Sequence, residues 1–360
     1  MSECAARRPR ARTGVAVVGL GYWGPNLLRV LVDHADADVR WICDTDPERL
    51  ERIGRRHPSI EVTRDLDGVL ADPDVDAVLL ATPVYTHYDL ARRCLEANKH
   101  TFVEKPLAPS TAEAVELIEL SVHRQLRLMC GHTFLYSPPV RMVKELIDAG
   151  ELGELYFISS SRVNLGLHQR DVSVVWDLGP HDFSILAYWL GEAPSVIRAT
   201  GRDSIVPGIA DVAFVTMEFA SGLIANVELS WLAPSKLRRT VIVGSEKMVV
   251  YEDGAPEAIK VFDRGVLYRD PETFGEFHLS YRTGDILSPK LSHDEPLALQ
   301  VADFIRGIRT SPAPDYALAL ARDVVRMAEA ADSSMRDGGG RVELGASFAS
   351  WQQPLPVSAP

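Results

Sequence analysis

The sequence has few cysteines, no long apolar run and no excess of positive charge. Its four cysteines in 360 residues are scattered without a C-x-x-C pair, which is typical of reduced thiols in a cytoplasmic protein. No apolar run approaches the roughly 18 residues that a membrane span needs, so we expect no membrane partner. The net charge of −12, from 50 acidic and 38 basic residues, argues against nucleic acid as a partner, since nucleic acid requires a basic surface.

The chain does contain enough apolar sequence for a large core. With 46% hydrophobic residues over 360 positions, it is long enough for two soluble domains. We expect a disordered lead-in over residues 1–13 and not a targeting segment, because its four arginines lack an apolar core. The two domains are expected at 14–133 and 134–345, followed by a tail at 346–360.

The first domain alternates predicted strands with predicted helices. Strands are expected at 14–20, 39–43, 61–63, 76–82, 100–104 and 127–132. Helices are expected at 24–34, 47–56, 85–97 and 110–124, the last beginning at the capping box Ser110-Thr-Ala-Glu113. Because the connections are short, this alternation indicates a parallel, doubly wound α/β sheet.

The pattern changes after about residue 150, where strand-like runs follow one another. They are expected at 153–164, 195–203, 211–220, 223–232, 239–244 and 247–252, with hairpin turns at Ala220-Ser-Gly222 and Gly244-Ser-Glu-Lys247. One helix, 177–190, interrupts them, and helices at 294–309 and 316–336 close the chain or pack back on the first domain. The second domain is therefore expected to be α+β with an open, mostly antiparallel sheet. The polar stretch 265–292 indicates no role.

A glycine-rich segment follows the first predicted strand. Gly19, Gly21 and Gly24 form G-x-G-x-x-G, and Pro25 can begin the next helix. The first glycine permits a tight turn, the second lets the backbone approach a pyrophosphate, and the third lets the helix pack closely on the strand. N–H groups of the first helical turn then face the diphosphate. A lone G-x-G-x-x-G can also be an ordinary turn, so its context has to support this interpretation.

That context is an acidic residue at the end of the second strand. Asp44 lies twenty residues after Gly24, where a carboxylate accepts hydrogen bonds from an adenosine ribose. The alternative is that Asp44 caps the following helix, but Asp46 is better placed for that role. A carboxylate here disfavours a 2′-phosphate, so NAD is the expected cofactor, and nearby Arg40 and Arg49 leave NADP as the less favoured one.

Three further residues suggest proton chemistry. Lys105 follows a later strand, where ligands of parallel sheets gather. Asp177 and His181 are four residues apart and therefore share one face of a predicted helix. Pro180 is tolerated near the start of this helix, because N–H groups of the first turn have no intrahelical partner. Histidine titrates near neutrality and is the usual general base for an alcohol or ketone. The alternative is structural, with Asp177 as a helix cap and His181 as a core residue.

In this order, the motifs resemble the Gfo/Idh/MocA oxidoreductase family, which includes glucose–fructose oxidoreductase and inositol dehydrogenase. The resemblance runs from about Val15 to Val342 and rests on Gly-Leu-Gly-Tyr-Trp-Gly-Pro-Asn at 19–26, Ala81-Thr-Pro83 with His87, Glu104-Lys-Pro106, and Asp177-x-x-x-His181. It implies a Rossmann domain, an α/β domain whose open sheet often mediates subunit contacts, NAD(H) or NADP(H), and cyclic polyols or sugars as substrates. A homodimer or homotetramer is therefore expected.

The resemblance also implies roles for individual residues. Lys105 would contact and polarise the reacting oxygen, His181 would be the general acid or base, and Asp177 would orient the substrate or the lysine. Thr82 and Pro83 would line the adenosine and ribose side, and Glu104 would meet the nicotinamide ribose. The full set expected to bind cofactor is Gly19, Gly21, Tyr22, Trp23, Gly24, Asp44, Thr82, Pro83, His87 and Glu104.

Four residues are candidates for substrate binding. Arg162 and Asn164 are two apart on a predicted strand and so point the same way, toward substrate hydroxyls or phosphate, although a solvated sheet face explains them almost as well. Tyr136 and His168 are candidates of the same kind. No metal site is expected, because the ten histidines are dispersed and Asp177 with His181 lacks a third ligand at a recognisable spacing.

Three functions remain compatible with these features. The first is an NAD-dependent dehydrogenase acting on a ring carbon of a sugar, nucleotide-sugar or cyclitol, in bacterial sugar or aminoglycoside biosynthesis. The second is an NAD-dependent glycosidase, because the family also uses transient oxidation to trigger elimination. The third is a non-catalytic NAD(P)-binding regulator. Lys105, Asp177 and His181 favour an enzyme, since a sensor would need only the nucleotide-binding loop.

Overall fold

The structure, a computed structural model, describes residues 12–166, 172–263, 265–268, 279–310 and 315–345. These described residues form two compact units, one within Met1–Gly131 and Leu297–Leu318 and the other within His132–Pro296 and Ala319–Pro360. The predicted tail and nearly all of the predicted lead-in lie outside the described residues. None of the helices among the described residues is long and apolar enough to cross a membrane.

The first unit contains the predicted alternation of strands and helices. Its strands are β1 (Thr13–Val18), β2 (Ala37–Cys43), β3 (Glu61–Thr63), β4 (Ala77–Leu80), β5 (His100–Glu104) and β6 (Leu128–Gly131). Its helices up to β6 are α1 (Gly24–Asp33), α2 (Pro47–Gly54), α3 (Leu66–Ala71), α4 (His87–Glu96) and α5 (Thr111–His123). All six strands are parallel, in the order β3-β2-β1-β4-β5-β6, which confirms the doubly wound sheet.

Local sequence explains where two of these helices begin. The carboxylate of Asp46 accepts the backbone N–H groups of Glu48 and Arg49 at the start of α2, as expected for an N-cap. Ser110 Oγ accepts the N–H of Glu113 at the start of α5, so the predicted N-cap is present, and the Ser110 hydroxyl also donates to Glu113 Oε2 at 2.7 Å. The six-residue α3 was not predicted because it is too short to show a helical period.

The second unit is built around one large sheet. In chain order, the elements from residue 138 onward are α6 (Pro138–Asp148), β7 (Leu155–Leu165), α7 (Val174–Leu190), β8 (Val196–Arg202), β9 (Val212–Glu218), β10 (Ile224–Ser230), β11 (Leu232–Gly244), β12 (Met248–Glu252), β13 (Ile259–Phe262), β14 (Gly265–Tyr268), β15 (Leu279–Arg282), β16 (Ile286–Leu287), α8 (Pro296–Thr310), α9 (Asp315–Arg336) and β17 (Val342–Glu343). Nine strands are ordered β16-β13-β12-β11-β7-β10-β9-β8-β17, and β14 pairs with β15 separately. Only β7 and β10 are parallel neighbours in the nine-stranded sheet, so a mostly antiparallel sheet is confirmed.

The second unit departs from the prediction at two helices. The first is α6, which was not predicted because the pair Pro138-Pro139 suggests a turn; both prolines lie in its first turn, where backbone N–H groups have no intrahelical partner. The other is α7, which begins at Val174, three residues before the predicted start at Asp177. Pro180 consequently lies inside α7 and not in its first turn, so it removes one intrahelical hydrogen bond.

The two C-terminal helices belong to different units. Leu297, Val301 and Phe304 of α8 are buried in the core of the first unit, and the Phe304 ring meets the Phe102 ring of β5 edge to face at 5.7 Å. Most of α9 belongs to the second unit, where Asp332 accepts a hydrogen bond from the indole N–H of Trp176. The core of the first unit therefore includes a segment far along the chain.

Candidate active site

The glycine loop between β1 and α1 has the geometry of a nucleotide cradle. Gly19 has φ +90°, and a Cβ there would lie 2.5 Å from the carbonyl oxygen of Ala81. A Cβ on Gly24 would lie 2.0 Å from the carbonyl oxygen of Gly19, so only glycine permits this close packing of loop and helix. Gly21 differs, because a Cβ there would meet only Arg49 Nη1, at 3.9 Å. The open space beside Gly21 fits a diphosphate approaching the backbone.

The two aromatic residues of the loop face different surroundings. Trp23 is partly buried and packs against the core of the first unit, whereas the side chain of Tyr22 is 77% exposed. Their rings meet edge to face with centroids 5.6 Å apart. Both residues were predicted to contact the cofactor. Tyr22 has an exposed ring surface that a ligand could contact, whereas Trp23 holds the loop against the core.

Asp44 is buried at the end of β2 and supports the same loop. One carboxylate oxygen accepts the backbone N–H of Leu20, and the other accepts the N–H of Asp46 at 2.8 Å. Arg49 Nη1 lies 3.9 Å from the carboxylate. The sequence predicted only the bond to a ribose, but the structure adds a bond that ties the glycine loop to β2. Each oxygen retains a lone pair that a ribose hydroxyl can use.

We expect Asp44→Asn to narrow the preference for NAD over NADP. The carboxylate should repel a 2′-phosphate and accept ribose hydroxyls, which is worth roughly ten- to a hundredfold in preference. Asparagine removes the charge while keeping an oxygen for the Leu20 N–H, so the loop should persist. Dissociation constants for both cofactors measure the effect, with Asp46→Asn at the neighbouring helix cap as a control that keeps the preference. An unchanged ratio in Asp44→Asn would contradict the assignment.

His87 braces two loops of the first unit. Its ring is 1% exposed, with Nδ1 2.7 Å from the carbonyl oxygen of Pro106 and Nε2 2.9 Å from that of Thr82. Burial lowers the pKa of His87, and the hydrogen bonds to the two carbonyl groups oppose that change. The ring therefore supports the backbone at Thr82 and at Pro106, directly after Lys105, and its contact with cofactor stays a prediction. Thr86 adds hydrogen bonds to Thr82 Oγ1 and the Pro83 carbonyl.

Glu104 ends β5 and directly precedes Lys105. Its side chain is buried: Oε2 accepts the Lys105 backbone N–H at 3.3 Å, and Oε1 has no hydrogen-bond partner in the described part of the chain. Burial raises the pKa of Glu104 to about 7, and the neighbouring charge of Lys105 opposes that rise. A buried carboxylate oxygen without a donor fits a ligand that supplies one, as a ribose hydroxyl does.

The raised pKa of Glu104 predicts a pH-dependent stability of the ligand-free protein. Because this pKa is higher in the folded than in the unfolded chain, folding takes up a proton and stability falls as pH rises from about 4.5 to about 7. Glu104→Gln should remove the loss, giving a gain of about 1–3 kcal/mol at pH 8 and little difference near pH 4.5. Urea unfolding across this pH range measures it, with the exposed Glu119→Gln as control. An equal pH dependence in wild type and Glu104→Gln would contradict the expectation.

In the second unit, Asp177 and His181 lie on one face of α7. The helix begins after Ser173, so Asp177 is not its N-cap, and the alternative that it serves only as a cap is excluded. Its Oδ2 accepts the indole N–H of Trp231 at 3.0 Å. The imidazole of His181 meets the ring of Phe134 edge to face at 5.0 Å. Neither Trp231 nor Phe134 was singled out from the sequence, because aromatic residues in apolar runs give no local signal of such contacts.

The candidate substrate residues have mixed outcomes. Arg162 is 2% exposed and forms an ion pair with Asp182, which contradicts the solvated-face alternative, while its contact with substrate stays a prediction. Asn164 is half-buried on the same strand, β7. Tyr136 is buried, with the Arg141 guanidinium 5.1 Å above its ring. His168 lies outside the described residues.

Within the described ranges, no group of three or more His, Cys, Asp or Glu side chains could hold a metal ion.

The fold and the loop together define a protein with a dinucleotide-binding Rossmann unit and a separate α+β unit. Two models of one family match these parts: the "Oxidoreductase family, NAD-binding Rossmann fold" over residues 13–132 and the "GFO/IDH/MocA C-terminal domain" over residues 140–250. The chain belongs to the Gfo/Idh/MocA oxidoreductase family, and its first unit is the NAD-binding domain.

Individual relatives differ in chemistry. The 2,7-anhydro-N-acetylneuraminate hydratase of Escherichia coli K12 is 29% identical over 228 residues, which are 59% of this chain and 60% of that protein. The inositol 2-dehydrogenase of Rhizobium meliloti is 28% identical over 68% of this chain and 77% of that protein. The crystal structure of GenD2 from gentamicin A biosynthesis, in complex with NAD, superposes with a TM-score of 0.79 at 26% identity, covering 96% of this chain and 100% of that one.

Proposed function

We propose that the protein is an NAD-dependent dehydrogenase. It would transfer a hydride between nicotinamide and a secondary alcohol or ketone on a ring carbon of a sugar, nucleotide-sugar or cyclitol. The observation that carries this function is Lys105 at the carboxyl end of β5, following a buried carboxyl oxygen that lacks a donor, in the same unit as the NAD cradle. An inositol 2-dehydrogenase and the gentamicin-pathway protein among the relatives support a ring alcohol, and bacterial sugar or aminoglycoside biosynthesis as its setting.

Each proposed residue has a distinct task. Bound NAD supplies the acceptor or donor of the hydride. The ammonium of Lys105 polarises the reacting oxygen and stabilises negative charge developing there. The imidazole of His181 takes the hydroxyl proton during oxidation and returns it during reduction. Asp177, fixed by the Trp231 indole, orients the substrate.

The loop residues bind the cofactor without chemistry of their own. Gly21 admits the diphosphate, Asp44 accepts the adenosine ribose hydroxyls, and Glu104 accepts a hydroxyl of the nicotinamide ribose. Thr82 and Pro83, which the His87 brace supports, line the adenosine side. The carboxylate of Asp44 favours NAD over NADP, because it would repel the 2′-phosphate that NADP carries on the adenosine ribose.

A screen for NADH formation tests the proposed function. The purified protein is mixed with NAD and, separately, with UDP-sugars, dTDP-sugars, myo-inositol and inosamine-type cyclitols, and absorbance at the NADH band is followed. We expect a sustained rise with at least one ring alcohol and none without substrate. Binding of NAD without any rise across these classes would favour the regulator.

A second candidate function is supported by the hydratase relative. An NAD-dependent hydratase or glycosidase would oxidise its substrate transiently and return the hydride, so it would consume no net cofactor. It would use the same cradle and the same proton-transferring groups. Chromatographic loss of substrate with catalytic amounts of NAD, and without accumulation of NADH, would establish this function in place of the dehydrogenase.

We also propose that the open sheet mediates a homodimer or homotetramer. Phe157, Phe214 and Ile224 occupy one face of the sheet, since Ile224 pairs with Phe157 and, four residues along β10, Glu228 pairs with Phe214. Their side chains are 45–50% exposed within the single chain. Large apolar side chains exposed on one face of a sheet are typical of an interface between subunits.

Phe214→Arg should therefore shift the assembly toward the monomer. A guanidinium in a desolvated apolar interface lacks a partner and weakens it by several kcal/mol, about a hundredfold or more in the dissociation constant. Light scattering after size exclusion measures the mass, and the exposed Tyr85→Arg in the first unit serves as control. A wild-type mass equal to one 39.7 kDa chain would contradict the assembly.

A further inference from the structure

The ring against which His181 packs is itself held by two arginines. Phe134 lies in the short 3₁₀ turn Thr133–Tyr136, and its ring meets the imidazole with centroids 5.0 Å apart and planes at 74°. The guanidinium carbon of Arg162 lies 4.7 Å from the centroid of the same phenyl ring, and that of Arg238 lies 5.8 Å away. Edge-to-face ring pairs and cations over rings are both attractive, so the phenyl ring is restrained by several neighbours.

Arg162 is fixed in turn by the residue next to His181. Its guanidinium Nε donates to Asp182 Oδ2, and both side chains are almost fully buried. Asp182 Oδ1 accepts a hydrogen bond from Ser160 Oγ at 2.7 Å, and Ser160 also meets Thr240 at 2.8 Å. A buried, hydrogen-bonded ion pair holds its geometry, because separating the partners leaves an unpaired buried charge.

These contacts connect four residues in a closed loop. His181 contacts Phe134, Phe134 contacts Arg162, Arg162 pairs with Asp182, and Asp182 follows His181 in α7. The ion pair fixes the helix relative to β7, and the phenyl ring then restricts the side-chain torsions of His181. Phe134 is only half-buried, so the core alone does not explain an aromatic ring at this position.

We propose that Phe134 is a positioning residue that orients the imidazole of His181, and that the Arg162–Asp182 pair holds Phe134 in place. This role rests on the proposed function of His181 as the proton acceptor and donor. A base has to lie within hydrogen-bond reach of the proton it takes, and a misplacement of about 1 Å can cost roughly a hundredfold in rate. Restricting two torsions of one side chain is a smaller effect than such a misplacement, so we expect Phe134 to contribute about tenfold to kcat.

A double-mutant cycle tests the positioning role. Turnover, KM and NAD dissociation constants are measured for wild type, Phe134→Leu, His181→Asn and the double variant, with Phe134→Tyr as the variant that keeps the ring. Phe134→Leu should lower kcat about tenfold with KM and NAD binding nearly unchanged, and Phe134→Tyr should restore it. In the His181→Asn background, Phe134→Leu should have no further effect, because the side chain it orients is gone.

The result that overturns the inference is a full tenfold loss from Phe134→Leu in both backgrounds, or no loss in either. A folding defect would lower kcat in both backgrounds alike. A thermal melt of each variant in the presence of NAD distinguishes such a defect from a loss of positioning. Normal turnover of His181→Asn would instead overturn the proposed function of His181, so the two failures are distinguishable.

If His181→Asn has normal turnover, the orientation of the imidazole can still be tested by a measurement that does not depend on turnover. In the NAD complex of protein labelled with ¹³C-histidine, the ring signals of His181 are those missing in His181→Asn. We expect one sharp set in wild type and in Phe134→Tyr, and broadened or doubled signals in Phe134→Leu. One equally sharp set in Phe134→Leu would show that the phenyl ring does not orient the imidazole.

Discussion

Lys105→Ala should lower turnover by roughly 10²–10⁴ while leaving NAD binding nearly intact. The lysine is proposed to act where negative charge develops on the reacting oxygen, and preorganised charge of this kind contributes more to the transition state than to the ground state. Cofactor binding should persist, because the glycine loop and Asp44 do not depend on the ammonium group. Steady-state turnover and fluorescence titration with NADH measure the two quantities separately.

Two further variants sharpen the result for Lys105. Lys105→Arg keeps the positive charge but changes its shape and reach, and it should recover only part of the rate. Lys247→Ala removes a lysine that pairs with Glu151 in the second unit and should leave turnover unchanged. If Lys105→Ala turns over at nearly the wild-type rate, the lysine has a structural role and the proposed chemistry loses its electrophile.

His181→Asn should lower turnover by roughly 10²–10⁴ and flatten the pH dependence of both directions. Oxidation of an alcohol needs the neutral imidazole to accept the hydroxyl proton, so its rate should rise with pH through the titration of the histidine. Reduction of the ketone needs the imidazolium, so its rate should fall over the same interval. Because asparagine does not titrate, the rise of the oxidation rate and the fall of the reduction rate with pH should both disappear in the variant.

The pH profiles also identify the group if it is not His181. A variant that keeps the wild-type profile would show that the titrating group lies elsewhere, with Lys105 next and Tyr136 after it. His123→Asn, a histidine at the end of α5, is the matched control and should preserve both the rate and the profile. Thermal melts of the variants establish that each is folded at the pH values compared.

The Rossmann sheet could be predicted because its signal is local and repeated. Strand, glycine loop and helix follow one another within short distances, and two of the helices begin at the recognisable capping residues Asp46 and Ser110. The large antiparallel sheet was predictable as a class from consecutive strand-like runs and hairpin turns. Its strand order was not, because the parallel pairing of β7 with β10 joins segments that are about seventy residues apart.

The site was predictable where a motif fixes a backbone and less so where packing decides. Gly19 and Gly24 need to be glycine for reasons visible in the spacing alone. Arg162 was assigned to substrate because strand alternation tells which residues share a face but not what covers that face; Asp182 on α7 covers it. The two carbonyl partners of His87 could not be predicted for a similar reason, since they belong to other segments of the chain.

The start of α7 shows the same limit for a helix. The motif Trp176-Asp-Leu-Gly-Pro-His-Asp182 contains a glycine and a proline, which usually end or begin helices, and this placed the start at Asp177. In the structure the helix continues through both because its apolar residues are buried on nearly every side. Tertiary packing offsets the hydrogen bond that Pro180 removes.

The most direct test of the central claim follows the hydride itself. A ring alcohol identified in the screen is prepared with deuterium on the reacting carbon and incubated with the protein and one equivalent of NAD, and the nicotinamide is analysed by mass spectrometry and NMR. A dehydrogenase with Lys105 and His181 in the proposed roles predicts NADH carrying one deuterium at C4, formed in equal amount to the ketone and lost in Lys105→Ala and His181→Asn. Consumption of the substrate without ketone and without deuterated NADH would contradict that claim.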